Sequence, residues 1–447
     1  MVAPADSRQT AAERLIAATL GATWILWLIG GLYIAGPALA WVLTLLVARA
    51  WYIAPALPEN ERPLVLPGAI WAWLLGMAAM LGILFIGHAN FSLGTGQTIK
   101  SAIGWAKGWA LLGLFPLAGF VLPIRMEVLA RAVCRLGRQT LFLLPIFLLA
   151  PLLHLPQTLW VSPLKVLGGS GDEYFAAVLY TIEPGAGTPR WQFFAPWSPA
   201  IGMVAIIHFL LAREDTDARW RWTGYVAAII VALLSQSRLA LVALAVIVPL
   251  TIGAGRVRKA STWFATIPVA VLAGWFMPQL LAFAEKAQND FAGARADSSR
   301  VRAALGRIAV ERWQNEAWWF GHGIVEKGPH LVEYMPIGSH HSWYGLLFVK
   351  GFAGAVALAV PMLWTLISCF VMATRSRVGQ TALAMILTYW LYSFGENLEV
   401  LTYISWPALM AIGIAFRQER TDAAAGHASA TVAAGDPTTA AGEPVRS

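Results

Sequence analysis

Charged side chains are scarce in this sequence: Asp, Glu, Lys and Arg together make up 13% of its 447 residues. A soluble globular domain carries about 25% charged residues, so the composition excludes an ordinary soluble protein. Hydrophobic residues make up 58% of the chain, and many apolar runs have the roughly 17–25 residues that a helix needs to cross a bilayer. Because backbone polar groups must be satisfied inside lipid, we predict an all-α polytopic membrane protein.

Cysteine is almost absent: Cys134 and Cys369 are the two examples, and neither lies in a redox or metal-binding spacing. No disulfide framework is therefore predicted. The sequence also lacks a Cys/His set with zinc spacing and a glycine-rich phosphate loop before a helix, so we expect neither a metal nor a cofactor. Residues 1–14 are polar, and the first apolar run continues into a second, so we expect no cleavable signal peptide.

Long apolar runs follow one another along most of the chain. Their lengths predict about twelve transmembrane helices in an integral membrane domain that covers residues 1–420. Residues 421–447 are rich in Ala, Gly, Thr and Pro, a composition typical of a disordered tail. The predicted spans cover residues 15–34, 36–52, 65–87, 102–123, 140–160, 199–212, 223–236, 239–254, 262–283, 343–373, 380–395 and 400–416.

The basic residues between these spans are distributed unevenly. With the N terminus in the cytoplasm, the cytoplasmic turns hold most of them and the short outer turns hold few. This positive-inside pattern predicts a multi-pass protein of a bacterial inner membrane with both termini in the cytoplasm. It also explains much of the net charge of +8 without nucleic acid as a partner. The cytoplasmic set is Arg125, Arg131, Arg135, Arg138, Arg213, Arg219, Arg221, Arg256, Arg258, Lys259, Arg375, Arg377, Arg417 and Arg420.

Two predicted outer segments, 161–198 and 284–341, are much longer than the other turns. Loops of this length in a compact protein are usually functional or disordered. The second contains SRVRAALGRIAVERW, in which apolar residues recur at i, i+3, i+4 and i+7. We therefore predict an amphipathic helix at the membrane surface within this long periplasmic loop. Its apolar face is formed by Val301, Ala304, Leu305 and Ile308.

The long loop ends with two adjacent histidines, His340 and His341, directly before an apolar run. Histidine titrates near neutral pH, so this pair at the outer mouth of a span is a candidate catalytic pair. The alternative is two interfacial histidines that hydrogen-bond a loop. Glu396 and Asn397 lie at the outer end of another hairpin. They are candidates to orient a histidine, and a simple loop cap is the alternative there.

Arginines at the outer face are candidates to bind an anion. Arg238 in SQSRLAL stands at the outer mouth of a span, where arginines are rare unless they pair, snorkel or function. A guanidinium offers a planar fork that matches phosphate oxygens. Arg300 in SSRVRAALG and Arg190 in TPRW are further candidates. The alternatives are a snorkelling side chain for Arg238 and a solvated helix face for Arg300.

The turn EDTDARW carries Asp215 and Asp217 in an Asp-Thr-Asp spacing that metal-dependent glycosyltransferases use. It lies in a predicted cytoplasmic turn rich in arginine, on the opposite face from the histidines. Because three-residue patterns recur by chance, we interpret it as a solvated charge cluster.

Four stretches, HHSWYGLLFVKGFAG, WWFGHG, SQSRLAL and SSRVRAALG, resemble motifs of the O-antigen ligase and polymerase superfamily. They lie in the C-terminal half, at about residues 225–360. In the first stretch, counting back from Gly351 and Gly354 puts the family's functional histidine on His340. The third and fourth stretches imply functional arginines at Arg238 and Arg300. The second resembles the glycine turn that follows the family's periplasmic helix.

The resemblance implies a GT-C-like glycosyltransferase architecture in the inner membrane of a Gram-negative bacterium. It implies an O-antigen ligase, which passes a glycan from undecaprenyl diphosphate to a sugar hydroxyl of lipid A-core and completes lipopolysaccharide. His340 or its neighbour His341 would be the base of a metal-independent, inverting transfer. Alternatives in the superfamily are an O-antigen polymerase and a protein O-oligosaccharyltransferase. From another class, a lipid-linked glycan flippase or transporter is disfavoured, because the ionisable residues cluster at span ends instead of mid-membrane.

Overall fold

The computed structural model describes residues 9–59, 62–168, 171–183, 187–258, 277 and 296–434. Within these residues the chain is mostly helical, with four short strands in one segment. The helices are α1 (Ala11–Gly21), α2 (Thr23–Leu28), α3 (Leu32–Ile53), α4 (Gly68–Asn90), α5 (Thr95–Lys107), α6 (Trp109–Val121), α7 (Met126–Leu152), α8 (Ser198–Ala212), α9 (Ala218–Leu234), α10 (Arg238–Ala254), α11 (Ala296–Glu316), α12 (Ser342–Ala373), α13 (Arg377–Ser393) and α14 (Leu398–Ala434). The strands are β1 (Thr158–Val161), β2 (Ala176–Val178), β3 (Thr181–Ile182) and β4 (Pro189–Arg190).

Six helical segments of the described chain are long and apolar enough to cross a membrane. They are Leu32–Ala56, Gly68–Asn90, Thr95–Val121, Met126–Leu152, Ser342–Ala373 and Leu398–Ala425. This is consistent with the all-α membrane protein that the composition predicts. The other predicted spans correspond to helices of 17 residues or fewer, except for 262–283, which lies outside the described residues. Twelve spans therefore remain a prediction.

Several predicted boundaries differ from the structure for local reasons. α7 begins at Met126, well before residue 140, because Arg, Leu and Ala are strong helix formers and continue the apolar helix. The predicted span over 15–34 is instead two short helices that meet at Ala22, and Gly30, with a left-handed φ of 69°, follows the end of the second helix. At the other end of the chain, α14 extends through residues 421–434 of the predicted tail, whereas residues 435–447 lie outside the described part.

The central helix of the bundle is α14, whose most apolar stretch is 89% buried, against 39% for α12. It packs closely against α6 through glycines. A side chain at Gly119 would clash with the carbonyl of Met410, and one at Gly413 would clash with that of Pro116. Small residues that allow close backbone approach are a main source of helix association in membranes. α14 is therefore held firmly in the bundle, and Glu396 lies in the turn just before its first residue.

The described residues between α7 and α8 form short strands and helical turns. β1 pairs antiparallel with β2, and β3 with β4. Trp160 donates its indole N–H to the carbonyl of Leu28 at 2.8 Å, and Ser162 donates its hydroxyl to that of Ile29 at 2.7 Å. These bonds hold the segment over one end of the bundle. We call this the outer end, after the predicted orientation, and the opposite end the inner end.

The helix predicted for SRVRAALGRIAVERW is present as α11, whereas its place at the membrane surface within a periplasmic loop stays a prediction. Val301, Ala304 and Leu305 are buried, and Ile308 is partly buried against them. They pack on Val332 in the short helical turn that follows along the chain. The helix thus packs on the rest of the protein through its apolar face, and its charged face is exposed.

Candidate functional site

The turn before α12 places the two histidines in different environments. His341 is the N-cap of α12, where its Nδ1 accepts a hydrogen bond from the Tyr344 backbone N–H at 3.3 Å. His340 adopts a left-handed φ of 61°, which is uncommon for a residue with a side chain. Such a conformation costs about 1–3 kcal/mol and persists where the surroundings enforce it. The position of the His340 ring is therefore imposed by the fold.

The turn between α13 and α14 is hydrogen-bonded to this start of α12. The Ser342 hydroxyl donates to the Glu396 carbonyl at 2.7 Å and accepts from the Leu398 N–H at 3.0 Å. The His341 N–H donates to Oδ1 of Asn397 at 3.0 Å. The structure therefore brings both histidines together with Glu396 and Asn397, although the sequence assigns the two pairs to separate hairpins.

Trp197, directly before α8, connects Glu396 to His340. Its indole N–H donates to Oε2 of Glu396 at 2.9 Å, and its ring meets the His340 ring edge-on, with centroids 6.4 Å apart. Glu396 itself is only 1% exposed. Trp197 is not recognisable from the sequence as part of the site, because this contact spans 199 residues of chain and no local pattern indicates it. We call His340, His341, Glu396, Asn397 and Trp197 the outer cluster.

Burial shifts the pKa of three groups in the outer cluster. Burial, and secondly the charge of Arg302, lowers the pKa of His340 to about 4. Burial lowers the pKa of His341 to about 4. Burial raises the pKa of Glu396 to about 7, while Arg302 and the hydrogen bond from Trp197 act in the opposite direction. Both imidazoles are therefore neutral at neutral pH, and the carboxyl group is near its titration point.

His340 is better placed than His341 to accept a proton. Nδ1 of His341 already accepts from Tyr344, so the neutral ring carries its proton on Nε2. The His341 ring also stacks on the Tyr344 ring, with centroids 3.8 Å apart. Among the described residues the His340 ring has no hydrogen-bonded partner, so a ring nitrogen is available to an incoming hydroxyl.

Two arginines act electrostatically on the outer cluster. Arg302 of α11 influences both His340 and Glu396, and the sequence analysis did not single it out, although it stands in the same SSRVRAALG stretch. Arg190 influences Glu396 and forms an ion pair with Glu183 at 2.8 Å. An anion that reached the cluster would therefore meet positive charge from two separate elements.

The other two predicted arginines stand at the starts of helices. Arg238 opens α10, and the preceding Gln236 donates to the Pro189 carbonyl at 3.1 Å, which ties this segment to β4. A side chain at Gly395 would lie 3.1 Å from Leu239, so the start of α10 also contacts the α13–α14 turn. Arg300 is an exposed residue of α11, two positions before Arg302.

Aromatic rings extend the cluster towards α3. The Tyr174 ring lies 5.9 Å from Trp197 and 4.9 Å from Tyr33, and the Tyr33 ring lies 5.1 Å from Tyr403, all between centroids. Such rings combine an apolar face with a polar hydroxyl, and a sugar makes both kinds of contact. On the α11 side, a groove of about 530 Å³ opens beside Tyr344, a volume within the roughly 300–1,000 Å³ range of ligand pockets.

α12 is interrupted close to the outer cluster. Gly351 has φ of 63° and ψ of −166°, and the loop 318–323 supplies the backbone partners that the interrupted helix lacks, through hydrogen bonds of 2.9–3.1 Å. Lys350 is buried at this break, 4% exposed, and interacts electrostatically with Glu399 of α14. The expectation that ionisable residues cluster at span ends is therefore wrong for Lys350. The bonded pairs are His322 with Phe348, Gly323 with Val349, Phe352 with Trp318 and Ala353 with Trp319.

His322 anchors this loop and was not identified from the sequence. Its Nδ1 lies 2.9 Å from the Phe348 carbonyl and its Nε2 lies 2.7 Å from Oε2 of Glu316. Arg312 bonds the same carboxylate at 2.8 Å. Through these two contacts the His322 ring links the end of α11 to α12.

The Asp-Thr-Asp pattern at the inner end differs from its predicted form. Asp215 is 2% exposed, and both its oxygens are bonded by the Arg131 guanidinium at 2.6 and 2.8 Å. Asp217 caps α9 by accepting from the Arg219 N–H at 2.8 Å. The interpretation as a solvated charge cluster is therefore wrong for Asp215, which forms a buried ion pair. In the part of the chain that the structure describes, no group of three or more His, Cys, Asp or Glu side chains is placed to hold a metal ion.

The outer cluster is thus the candidate site. It offers a neutral histidine with an accessible nitrogen, a buried carboxyl group, arginine charge and aromatic surface. Its function has to be inferred from this chemistry, because no protein-family model matches the sequence and comparison with curated proteins gives no match.

Proposed function

We propose that this protein is an O-antigen ligase, a glycosyltransferase that passes a glycan from undecaprenyl diphosphate to a sugar hydroxyl of lipid A-core on the periplasmic face of the inner membrane. The observation that carries the proposal is the environment of His340: a neutral ring with an accessible nitrogen, beside Trp197 and within the field of Arg302. The motif resemblance supports it, because the stretch that begins with this histidine also contains the helix break at Gly351.

His340 acts as the general base in this proposal. It takes the proton of the acceptor hydroxyl as that oxygen attacks the anomeric carbon of the donor glycan. The bond from the anomeric carbon to the diphosphate oxygen breaks, and its electron pair leaves with the lipid diphosphate. Attack from the face opposite the diphosphate inverts the anomeric centre. A base of this kind contributes about 100–10,000-fold in rate.

Arginines stabilise the charge that develops on the leaving diphosphate. Arg238 and Arg302 are the first candidates, because the start of α10 contacts the α13–α14 turn and Arg302 acts on His340. Arg190 and Arg300 supply further positive charge at the same end. A donor that contacts the diphosphate directly, as proposed for Arg238 and Arg302, is worth about 100–1,000-fold in rate. The diphosphate is already an activated leaving group, so the transfer needs neither a nucleotide nor a metal.

Glu396 positions the base indirectly. Its carboxyl group fixes the Trp197 indole, and Trp197 packs against the His340 ring. Asn397 holds the backbone of His341, which fixes the turn from the other side. Both side chains are therefore positioning residues that keep His340 in its left-handed conformation.

A reconstituted transfer reaction tests the proposal. The purified protein is mixed in detergent with undecaprenyl diphosphate-linked glycan and lipid A-core, with and without EDTA, and lipopolysaccharide of higher mass is followed on gels. We expect product that survives EDTA and falls about 100–10,000-fold in His340→Ala, with a much smaller loss in the matched variant His341→Ala. Full activity of His340→Ala would contradict the assignment of the base.

Acceptor choice separates the ligase from its superfamily alternatives. Chain growth from the donor alone indicates an O-antigen polymerase, and transfer to a peptide hydroxyl indicates a protein O-oligosaccharyltransferase. The same histidine variants are then assayed with that acceptor, so the catalytic assignment is tested even where the acceptor differs.

Transport of a lipid-linked glycan is the second candidate, and Lys350 favours it. A buried ionisable residue at a break in a membrane-length helix is a feature of transporters, and Glu399 lies within its electrostatic reach. Proteoliposomes with a fluorescent lipid-linked glycan measure this activity. Movement of the lipid without any covalent product, lost in Lys350→Met and retained in His340→Ala, would replace the ligase proposal.

A further inference from the structure

Three arginines of α7 converge on one tryptophan of α9 at the inner end. The guanidinium carbons of Arg131, Arg135 and Arg138 lie 5.5, 6.0 and 4.7 Å from the centroid of the Trp220 ring. All three distances fall within the approximately 6 Å range of cation–π contacts. We call these four residues the arginine–tryptophan cluster. It lies on the opposite side of the bundle from the outer cluster.

α7 and α9, the helices that carry the cluster, pack with their backbones close together. A side chain at Gly137 would lie 3.0 Å from Ala227, and one at Gly224 would lie 2.8 Å from Sγ of Cys134. Both glycines therefore allow α7 and α9 to approach closely. Gly224 is one helical turn beyond Trp220, so the ring is held under the arginine face of α7. The cluster is a preformed platform.

The carboxylates near the cluster balance only part of its charge. Asp215 is fully engaged by Arg131, and Asp217 caps α9. Glu214 turns away to α13, where it accepts from the Thr381 hydroxyl at 2.6 Å. Among the described residues, Arg135 and Arg138 form no ion pair, and both are exposed. Arg135 and Arg138 approach the same ring, so their positive charges repel each other. An anion bound between them would offset this repulsion.

The lipid-facing surface begins one turn beyond the cluster. Phe142, one helical turn after Arg138, is 83% exposed, and Ile146 is 54% exposed. On α9, Trp222 follows Trp220 and is 64% exposed. Large apolar side chains are exposed in this way where a helix meets hydrocarbon, and tryptophan is enriched at the level of the headgroups. Arg135 and Arg138 therefore lie at the height of lipid phosphates.

We propose that the arginine–tryptophan cluster binds the phosphate of an anionic phospholipid headgroup. The guanidiniums of Arg135 and Arg138 offer planar forks for phosphate oxygens, and Trp220 holds both from one side. Basic pockets between membrane helices bind anionic headgroups in this way. The site is independent of the proposed transfer activity, because none of its residues belongs to the outer cluster.

Lipid titration of the full-length protein tests the site. Phosphatidylglycerol is titrated into protein held in a neutral detergent, and bound lipid is counted by native mass spectrometry, with phosphatidylcholine as the uncharged comparison. An arginine near the membrane surface is worth about fivefold in affinity, so we expect Arg135→Gln/Arg138→Gln to weaken phosphatidylglycerol binding about 25-fold. The matched control is Arg49→Gln/Arg420→Gln, which removes the same charge from two exposed arginines elsewhere.

Three results would overturn the assignment. Equal weakening in the two double variants would mean that diffuse charge attracts the lipid. Unchanged binding in Arg135→Gln/Arg138→Gln would remove the cluster from consideration. Displacement of the lipid by inorganic phosphate, with equally tight binding of phosphate alone, would make the occupant a soluble anion. A second variant, Trp220→Leu, keeps every charge, and the proposal requires it to weaken phosphatidylglycerol binding as well.

Discussion

The two ends of the bundle differ in the kind of ionisable groups that they carry. At the outer end the titratable groups are buried, so His340 and His341 are neutral and Glu396 is near its titration point at neutral pH. At the inner end the charges are permanent, since Arg131, Arg135 and Arg138 face one indole ring and one buried carboxylate. Groups poised to exchange protons suit chemistry, whereas fixed charges suit attachment to an anion. The comparison predicts that substitutions at each end affect different measurements.

The largest expected effect distinguishes two neighbouring arginines at the outer end. Arg302→Gln removes the charge that acts on His340 and Glu396, so we expect kcat/KM for glycan transfer to fall about 100–1,000-fold. Arg300→Gln is the matched control and tests the residue implied by the motif resemblance. Steady-state kinetics on both variants measure kcat/KM. A larger fall in kcat/KM for Arg300→Gln than for Arg302→Gln would assign the diphosphate contact to Arg300 instead of Arg302.

The pH dependence of stability gives the second prediction. The pKa of Glu396 is raised from 4.5 to about 7, so the folded state binds the extra proton and stability falls as pH rises through this window, by about 3 kcal/mol. The pKa values of His340 and His341 are both lowered from 6.5 to about 4, so their contributions to stability are lost as pH falls through that window. Between pH 4.5 and 6.5 the two slopes oppose each other.

Two variants separate these slopes. In Glu396→Gln, unfolding temperatures in detergent should rise from pH 4 to 6.5 and then level off, whereas in the double variant His340→Gln/His341→Gln they should fall from pH 4.5 to 7. The inner-end variant Arg135→Gln provides the control, because a guanidinium does not titrate in this range. Identical profiles of unfolding temperature against pH in all three proteins would mean that the titratable groups of the outer end do not set the pH dependence of stability.

The third prediction concerns stability at the inner end. Asp215→Asn breaks a bidentate ion pair whose carboxylate is 1% exposed and whose Arg131 side chain is 30% exposed. Loss of a fully buried pair costs about 3–5 kcal/mol, and the partial exposure of the arginine reduces our expectation to about 2 kcal/mol. Denaturation of the purified protein measures it. Glycan transfer at a permissive temperature should be unchanged, and a specific loss of transfer would connect the two ends.

The smallest expected effect lies in the loop between the ends of α11 and α12. His322→Gln retains hydrogen-bonding capacity but removes the imidazole that contacts both Glu316 and the Phe348 carbonyl, so we expect a loss of about 1 kcal/mol in the free energy of unfolding. Hydrogen exchange of residues 318–323 should increase more than that of α6. Uniform exchange throughout the protein would mean that His322 does not anchor this loop locally.

Local patterns predicted the elements, and long-range contacts determined the site. The 3.6-residue spacing of Val301, Leu305 and Ile308 was sufficient to identify α11 and its buried face. The charge pattern was sufficient to expect His340 and Glu396 at the same end. Trp197 and Arg302 were not assigned to the site, because their relation to the histidine depends on how distant helices pack. A single sequence carries no record of that packing.

The interruption of α12 shows a different limit. The run from Trp343 to Ala373 is almost uniformly apolar, so its periodicity predicts one continuous helix. The left-handed Gly351 breaks it because the loop 318–323 lies upstream with free backbone donors and acceptors. The burial of Lys350 follows from the same break. Hydropathy indicates whether a segment can enter a membrane. It does not indicate which backbone groups supply the hydrogen bonds that a break in the helix requires.

The break at Gly351 has a mechanical consequence. The segment Ser342–Lys350 is bonded through its backbone to the loop that follows α11, so it belongs to that loop as much as to the membrane helix below it. Gly351 is therefore the joint between a short outer segment and the longer helix that follows it. The two histidines stand at the start of the outer segment, so the backbone bonds to the loop after α11 are part of what fixes their position.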